Sequence, residues 1–293
     1  MKRRYATARL SKWSEFCSSV RKQCKSSLGK TGKKWIFRGH VPKQSLESSL
    51  DRAIRFYPDE DKKRGEVEKR LLREFKRRYH QYSSDAPKDG DYLEWFSIMQ
   101  HYGAPTRLLD FTYSVYVAAY FALEKNIKGP YEVFAVDARW AIRESVKNNN
   151  CADTQDFFSK LVNNTDQDLN NFERFFIHNS SIDFVCPFNP FRLTERISLQ
   201  SGIFMCPGNV RNNFEKNLKS LREWHKKENI VRFILDFDEL EVSKAREHLY
   251  DLNITRATLF PGLGGFAESL KVYPPKMLVE NDALQSNWLS NGQ

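Results

Sequence analysis

Residues 101–114 combine several side chains that can do chemistry with turn-forming residues that would hold them in place. The segment runs into a predicted helix at residues 114–126, and a helix N-terminus offers free N–H groups and a dipole that favour an anion such as a phosphate. Loops held between two helices are common places for binding groups. The side chains in question are His101, Arg107, Asp110, Thr112 and Ser114.

A structural role is the alternative for the same residues. Asp110 would then bridge Arg107 or a backbone N–H, and Thr112 or Ser114 would simply cap the following helix. His101, and likewise His40, could act as an acid, a base or a phosphate donor, although a single histidine is more often a structural hydrogen-bonding residue. For the cluster as a whole, the density of polar groups favours a functional site.

The elements that must position this segment follow from the apolar pattern of the chain. A repeat near 3.6 residues predicts helices, and short branched and aromatic runs predict strands. Capping residues are Ser11 and Asp238, and Gly103 would end the helix before the cluster. The predicted helices cover residues 10–25, 66–82, 91–102, 114–126, 210–226, 239–251 and 266–271. The predicted strands cover residues 35–39, 131–137, 183–186, 197–206 and 230–235.

Strands and helices alternate without a regular βαβ rhythm, which predicts an α+β fold. We expect a single domain over residues 1–280, with a helical N-terminal part at about 10–103. Residues 138–182 are polar and rich in Asn, with only a weak helical pattern, and are interpreted as a variable insertion. Residues 281–293 form a polar tail.

Composition excludes several classes of protein. The chain of 293 residues is 40% hydrophobic and 29% charged, which is ordinary for a globular protein. No apolar run approaches the roughly 18 residues of a membrane span, and no apolar stretch follows the basic start to make a secretory signal. The five cysteines form no CxxC pair, which favours a reducing cytoplasm over a disulfide framework or a zinc site. We therefore expect a cytoplasmic protein without a metal.

Positive charge is concentrated in the first part of the chain. The net charge is +10, but residues 1–80 hold 24 Lys and Arg against 9 Asp and Glu, a local excess of +15. Such asymmetry can attract nucleic acid or another polyanion. The alternative is that these residues are the solvated faces of surface helices.

A family resemblance rests on six blocks of the chain. The motif Phe37-Arg38-Gly39 and the long block at residues 100–112 resemble the FRG-domain family, which is named for that tripeptide. The resemblance spans roughly residues 10–272. The similar blocks are residues 35–40, 50–52, 100–112, 118–123, 196–204 and 258–267.

A more distant likeness suggests an activity. ADP-ribosyltransferases of the Arg–Ser–Glu class carry an Arg-Gly at the end of an early strand and a Ser/Thr-x-Ser segment that enters a small-residue helix. Arg38-Gly39 and Thr112-Tyr113-Ser114 look like these two elements. The resemblance implies an α+β fold as in those enzymes. Its central split sheet would be mixed or antiparallel and would be flanked by helices.

The same likeness implies roles for individual residues. Arg38 would bind the pyrophosphate or the nicotinamide ribose of NAD through two hydrogen bonds from its guanidinium group. Thr112 would form a hydrogen bond with the nicotinamide amide or the ribose. No Glu-x-Glu pair follows Ser114, so Gln200 is the best candidate for the third position, with Glu268 a remote second. The implied catalytic residues are Arg38, His101, Thr112 and Gln200. The implied cofactor-binding residues are Arg38, Gly39, Arg107, Asp110, Thr112 and Ser114.

Three functions compete on these grounds. The first is an NAD-using ADP-ribosyltransferase-like enzyme or NAD glycohydrolase, a toxin or defence effector in biological setting, with NAD as substrate and a nucleic-acid or protein acceptor bound through the basic N-terminal region. The second is a module that binds a nucleotide or nucleic acid without turnover, which the missing Glu favours. The third is a metal-independent nuclease that uses His101 with Arg107.

Overall fold

The computed structural model describes residues 4–25, 32–40, 46–57, 60–125, 129–149, 173–178, 181–190 and 193–271. Within them, seven strands form one mixed sheet in the order β1-β7-β4-β2-β3-β6-β5. The edge strand β1 pairs with β7 in parallel, and the other neighbours are antiparallel. The strands are β1 (Ala6–Leu10), β2 (Trp35–His40), β3 (Leu109–Thr112), β4 (Tyr131–Asp137), β5 (Val185–Phe188), β6 (Gly202–Pro207) and β7 (Ile230–Leu235).

Helices cover both faces of this sheet. In chain order they are α1 (Trp13–Gln23), α2 (Ser49–Ile54), α3 (Glu60–Tyr79), α4 (Tyr92–His101), α5 (Val115–Leu123), α6 (Ala138–Asn149), α7 (Glu195–Leu199), α8 (Phe214–Ser220), α9 (Glu239–Asp251), α10 (Arg256–Leu259) and α11 (Leu263–Ser269). A π-helical segment occupies Glu173–His178. The predicted α+β class with a mixed sheet is therefore confirmed, as one sheet of seven strands flanked by helices.

Each face of the sheet has its own hydrophobic core. On one face, α1, α5 and α9 pack against the strands through residues such as Phe16, Ala118 and Ala245. On the other face, α4, α6 and α8 contribute Phe96, Trp140 and others. The central strands are buried on both faces, so most positions of β4 and β7 are apolar, and Glu132 of β4 is paired with Arg232 of β7.

Small residues let α5 lie directly on β2. A Cβ atom at Gly39 would sit 1.7 Å from the carbonyl oxygen of Ala118 and 2.8 Å from the backbone nitrogen of Ala122. Only glycine fits at such a distance, because the obstacle is helix backbone. Gly39 is therefore the residue that permits the close approach of this alanine-rich helix to the sheet.

One predicted strand is wrong in its first half. Residues 197–206 were expected to be a strand, but Glu195–Leu199 form α7 and the strand begins only at Gly202. The alternating apolar residues Ile197 and Leu199 imitate a strand. The side chain of Thr194 instead accepts a hydrogen bond from the Ile197 N–H and begins a helix.

Several other elements depart from the predicted pattern. The sequence predicted none of β1, β3 and α2; residues 109–112, interpreted as part of a loop, form β3. The N-cap of α1 is Lys12 rather than Ser11. Of the helix predicted at 210–226, only Phe214–Ser220 is helical. The helices at 91–102 and 239–251 are confirmed, the latter with Asp238 as its N-cap.

The segment interpreted as a polar insertion begins with a helix that belongs to the core. In α6, Trp140 and Ala141 are buried, as are Phe175 and Phe176 of the π-helical segment. The weak helical pattern near residues 157–161 and the tail at 281–293 lie outside the described residues. Among the helices that the structure describes, none is both long and apolar enough to cross a bilayer.

Candidate functional site at the β2–β3 junction

Strands β2 and β3 share a single register pair, Phe37 with Thr112. Beyond this pair the strands separate, and the Arg38 side chain takes the place of the next backbone hydrogen bond. Its Nη1 donates to the backbone carbonyl of Asp110 over 2.6 Å. We call this place, with Arg38, Asp110 and Arg196, the β2–β3 junction.

Arg38 has hydrogen-bonding capacity left over. Its guanidinium carries five N–H donors, and among the described residues only Nη1 has a hydrogen-bond partner. The side chain is half-buried. Burial lowers the pKa of Arg38, and the nearby positive charge of Arg52 lowers it further, while Asp110 raises it. The result is a partly desolvated cation with free donors, which suits an anionic ligand.

Asp110 is an exposed carboxylate held in a defined position. Its Oδ2 accepts a hydrogen bond from Gln100 Nε2 at 2.9 Å, and Gln100 Oε1 in turn accepts one from Thr106 Oγ1 at 2.6 Å. Asp110 interacts electrostatically with both Arg38 and Arg196. The junction therefore places one fixed negative charge between two positive ones.

An aromatic ring between two guanidinium groups extends the site. The guanidinium carbons of Arg196 and Arg256 lie 4.6 and 4.1 Å from the centre of the Phe260 ring. Phe121 meets the same ring edge-on at 6.0 Å. Arg256 is also paired with Glu124 at the end of α5. Burial lowers the pKa of Arg196, and Arg256 adds to this effect against Asp110 and Glu124.

Thr112, Ser114 and Gln200 come together, but mainly as partners of one another and of the backbone. Thr112 Oγ1 donates to the Gln200 carbonyl at 2.7 Å and accepts from the Ser114 N–H at 3.0 Å. The side chain of Ser114 accepts from the Val117 N–H and caps α5. Gln200 follows α7 rather than lying in a strand, and its Nε2 donates to the Leu259 carbonyl at 3.0 Å.

His101 ends α4 near Arg196. Burial and the positive charge of Arg196 lower its pKa below the usual value of histidine. Its Nδ1 is buried and has no hydrogen-bond partner within the described part of the chain. His40, by contrast, lies buried on β2 against Glu132, with Nε2 3.5 Å from a carboxylate oxygen, and stacks on Phe134.

Arg107 lies away from the junction. It is almost completely buried, and its Nε donates to Glu68 Oε1 at 2.7 Å while Nη2 contacts the other carboxylate oxygen. Its Nη1 donates to the Phe176 carbonyl at 2.8 Å. Burial acts to lower the pKa of Arg107, but Glu68 outweighs it and the pKa is raised. These contacts use the guanidinium internally.

The remaining predicted residues have local surroundings of their own. Gly39 packs against α5 as described above. Glu268 is exposed on α11, where a hydrogen bond from Lys271 lowers its pKa. In the ranges that the structure describes, no group of three or more His, Cys, Asp or Glu residues could hold a metal ion.

Arg196, Arg256 and Phe260 were not singled out from the sequence as site residues. All three lie within or beside two late blocks, residues 196–204 and 258–267, whose similarity to the FRG family was visible. The signal was therefore the family pattern, because the pairing of Arg196 with an aromatic ring over 60 residues away cannot be read from spacing.

The fold and the junction define a class: an α+β protein with an arginine and a carboxylate where two central strands separate. The family comparison agrees with the tripeptide at this place, since residues 33–129 match the model of the FRG domain. The chain thus contains an FRG domain, which includes β2, β3, α5 and the junction residues Arg38 and Asp110. Comparison with curated proteins and with solved structures gives no match.

Proposed function

We propose that the chain binds NAD at the β2–β3 junction and breaks the bond between nicotinamide and ribose, as an ADP-ribosyltransferase-like enzyme or an NAD glycohydrolase. The bonding electrons leave with nicotinamide, and an acceptor group or water attacks the ribose carbon and loses a proton. The observation that carries the proposal is Arg38, a half-buried guanidinium fixed to the Asp110 carbonyl with donors to spare.

The surrounding charges support a dinucleotide as the ligand. Arg38 and Arg196 can bind the pyrophosphate, because guanidinium groups match phosphate oxygens in geometry. The Phe260 ring is covered by Arg196 and Arg256, and it holds these two cations close to the same place. The charges therefore support the phosphate part of a nucleotide.

Asp110 is our candidate for the missing acidic residue. The reaction passes through an oxocarbenium-like cation, which a carboxylate held in a fixed position stabilises. Glu124 is already paired with Arg256, and the Gln200 amide already donates to the Leu259 carbonyl. Asp110 is exposed and held by Gln100, so its free oxygen can face a ribose.

The cytoplasmic location expected from the sequence stays a prediction.

A second function, nucleotide binding without turnover, is favoured by the same engaged side chains. Thr112, Gln200 and Glu124 all have internal partners, which leaves Asp110 to supply the negative charge. The geometry gives less support to a nuclease based on His101 and Arg107, because Arg107 is committed to Glu68.

The test measures nicotinamide release and NAD binding in parallel. We expect release by the wild type, a loss of about 10- to 150-fold in kcat/KM for Arg38→Ala, since one charged hydrogen-bond partner contributes about 1.5–3 kcal/mol, and a loss of about 100-fold in kcat for Asp110→Asn with NAD binding kept. Arg222→Ala and Asp236→Asn serve as matched surface controls. Binding of NAD with no release in any variant would establish the second function. Absence of both binding and release would refute both.

A further inference from the structure

Helix α3 has one apolar face that is covered and one polar face that is open. Val67 and Leu72 are buried, and Leu71 and Phe75 pack against the core beside them. The acidic Glu68 is buried as well, paired with Arg107, so its charge is compensated inside the protein. Glu66 is exposed near the start of this face, and the exposed positions that follow it on α3 are basic.

Five exposed cations make up this surface, which we call the α3 basic face: Lys69, Arg70, Arg73, Arg77 and Arg78. Lys69, Arg73 and Arg77 follow one another at intervals of four residues, or about 6 Å along a helix. Glu74 pairs with Arg77 at 2.9 Å and with Arg78 at 3.8 Å. Lys69 and Arg73 form no ion pair among the described residues.

An exposed aromatic side chain adjoins the row of charges. Phe56, just after α2, is 88% exposed, which is far from the usual burial of phenylalanine. Its neighbour Tyr57 is tied to the basic face, because the Arg70 guanidinium lies 5.7 Å from the centre of the Tyr57 ring. Arg52 of α2 and Arg55 directly before Phe56 are exposed too.

We infer that the α3 basic face and Phe56 together bind single-stranded nucleic acid. A row of cations can follow a sugar–phosphate backbone, and an exposed ring can stack on an unpaired base. A membrane surface fits less well, because a helix that lies on a bilayer turns an apolar face outward and α3 buries its own. The inference does not depend on NAD chemistry at the junction.

The experiment follows binding of a fluorescein-labelled 12-nucleotide oligouridine by anisotropy over a range of salt concentrations. We expect Lys69→Glu/Arg73→Glu to weaken binding and to reduce the slope of log K against log salt by about 1.4, since each phosphate contact with a single strand contributes about 0.7. Phe56→Ala should weaken binding about fivefold or more, with the salt slope unchanged.

Matched controls decide whether the surface or the bulk charge is responsible. Arg222→Glu/Lys227→Glu changes the net charge equally at exposed positions elsewhere and should leave binding near that of the wild type. An equal loss in this control, no binding by the wild type, or an unchanged affinity of Phe56→Ala together with equal binding of a duplex would overturn the inference. So would binding of a polyglutamate peptide in preference to RNA. Arg38→Ala should keep RNA binding, so failure of the NAD proposal leaves this result intact.

Discussion

Glu68→Gln removes one charge from the buried ion pair with Arg107 and almost preserves the shape of the side chain. Both side chains are only 3% exposed, so neither charge is solvated in the fold. Breaking such a pair leaves an uncompensated buried charge, which costs about 3–5 kcal/mol. The guanidinium would keep its hydrogen bond to the Phe176 carbonyl, which does not replace the lost negative charge.

Removing both charges should cost less than removing one. In Glu68→Leu/Arg107→Met no buried charge remains, and the main loss is the unpaired Phe176 carbonyl, at about 1–3 kcal/mol. If the single variants Glu68→Leu and Arg107→Met each cost about 3–5 kcal/mol, the cycle of wild type, two single variants and double variant should give a coupling free energy of at least about 3 kcal/mol. Urea unfolding followed by tryptophan fluorescence measures all four proteins, and equal m-values would show that the comparison is valid.

The outcome also decides what Arg107 does. A structural role requires Glu68→Gln to lose most of the stated free energy while any folded fraction binds NAD normally. A loss below about 1 kcal/mol in Glu68→Gln, or an Arg107→Met variant of native stability that no longer binds NAD, would refute the reasoning. The second result would restore Arg107 to the cofactor-binding residues expected from the sequence.

Two further predictions concern the junction. Gly39→Ala should destabilise the protein by about 3 kcal/mol, at the upper end of overpacking losses, because the added methyl group meets helix backbone at Ala118. Urea unfolding measures this loss. An unchanged midpoint of unfolding would contradict the close packing of α5 on β2. His101 has a pKa below that of the unfolded chain, so the unfolded state binds the extra proton first and stability should fall as pH drops below about 6.5. A plot of Tm against pH should show this decline in the wild type and a smaller one in His101→Gln, and parallel curves would contradict it.

Sequence patterns predicted the well-capped helices and most of the buried strands, but they missed β1, β3 and α7, and most of the helix predicted at 210–226 is not helical. The helix at 239–251 has a clear cap in Asp238 and a repeating apolar face, and its bounds agree with the structure. The five residues of α7 could not compete with an apolar alternation that also fits a strand, and β1 is a five-residue edge strand whose parallel partner β7 lies more than 220 residues away.

The candidate site divides in the same way. Asp110, Thr112 and Ser114 were expected together because one short segment carries them, and the family likeness added Arg38. The sequence did not predict that residues 109–112 form the strand β3 beside β2. Arg107 looked equally available for ligand binding. Its partner Glu68 lies 39 residues earlier, on α3, and no spacing rule connects the two residues. The roles of all these residues in binding or catalysis remain predictions.

The single register pair between β2 and β3 makes the sheet narrowest at its centre. Four strands lie on one side of this boundary and three on the other. Within each group, neighbouring strands are paired over several residues. A ligand bound to Arg38 on β2 and Asp110 on β3 would contact both groups of strands at once and would link them. The sheet would then be more rigid with a ligand bound at this site, and the two groups of strands could move relative to each other more easily without one.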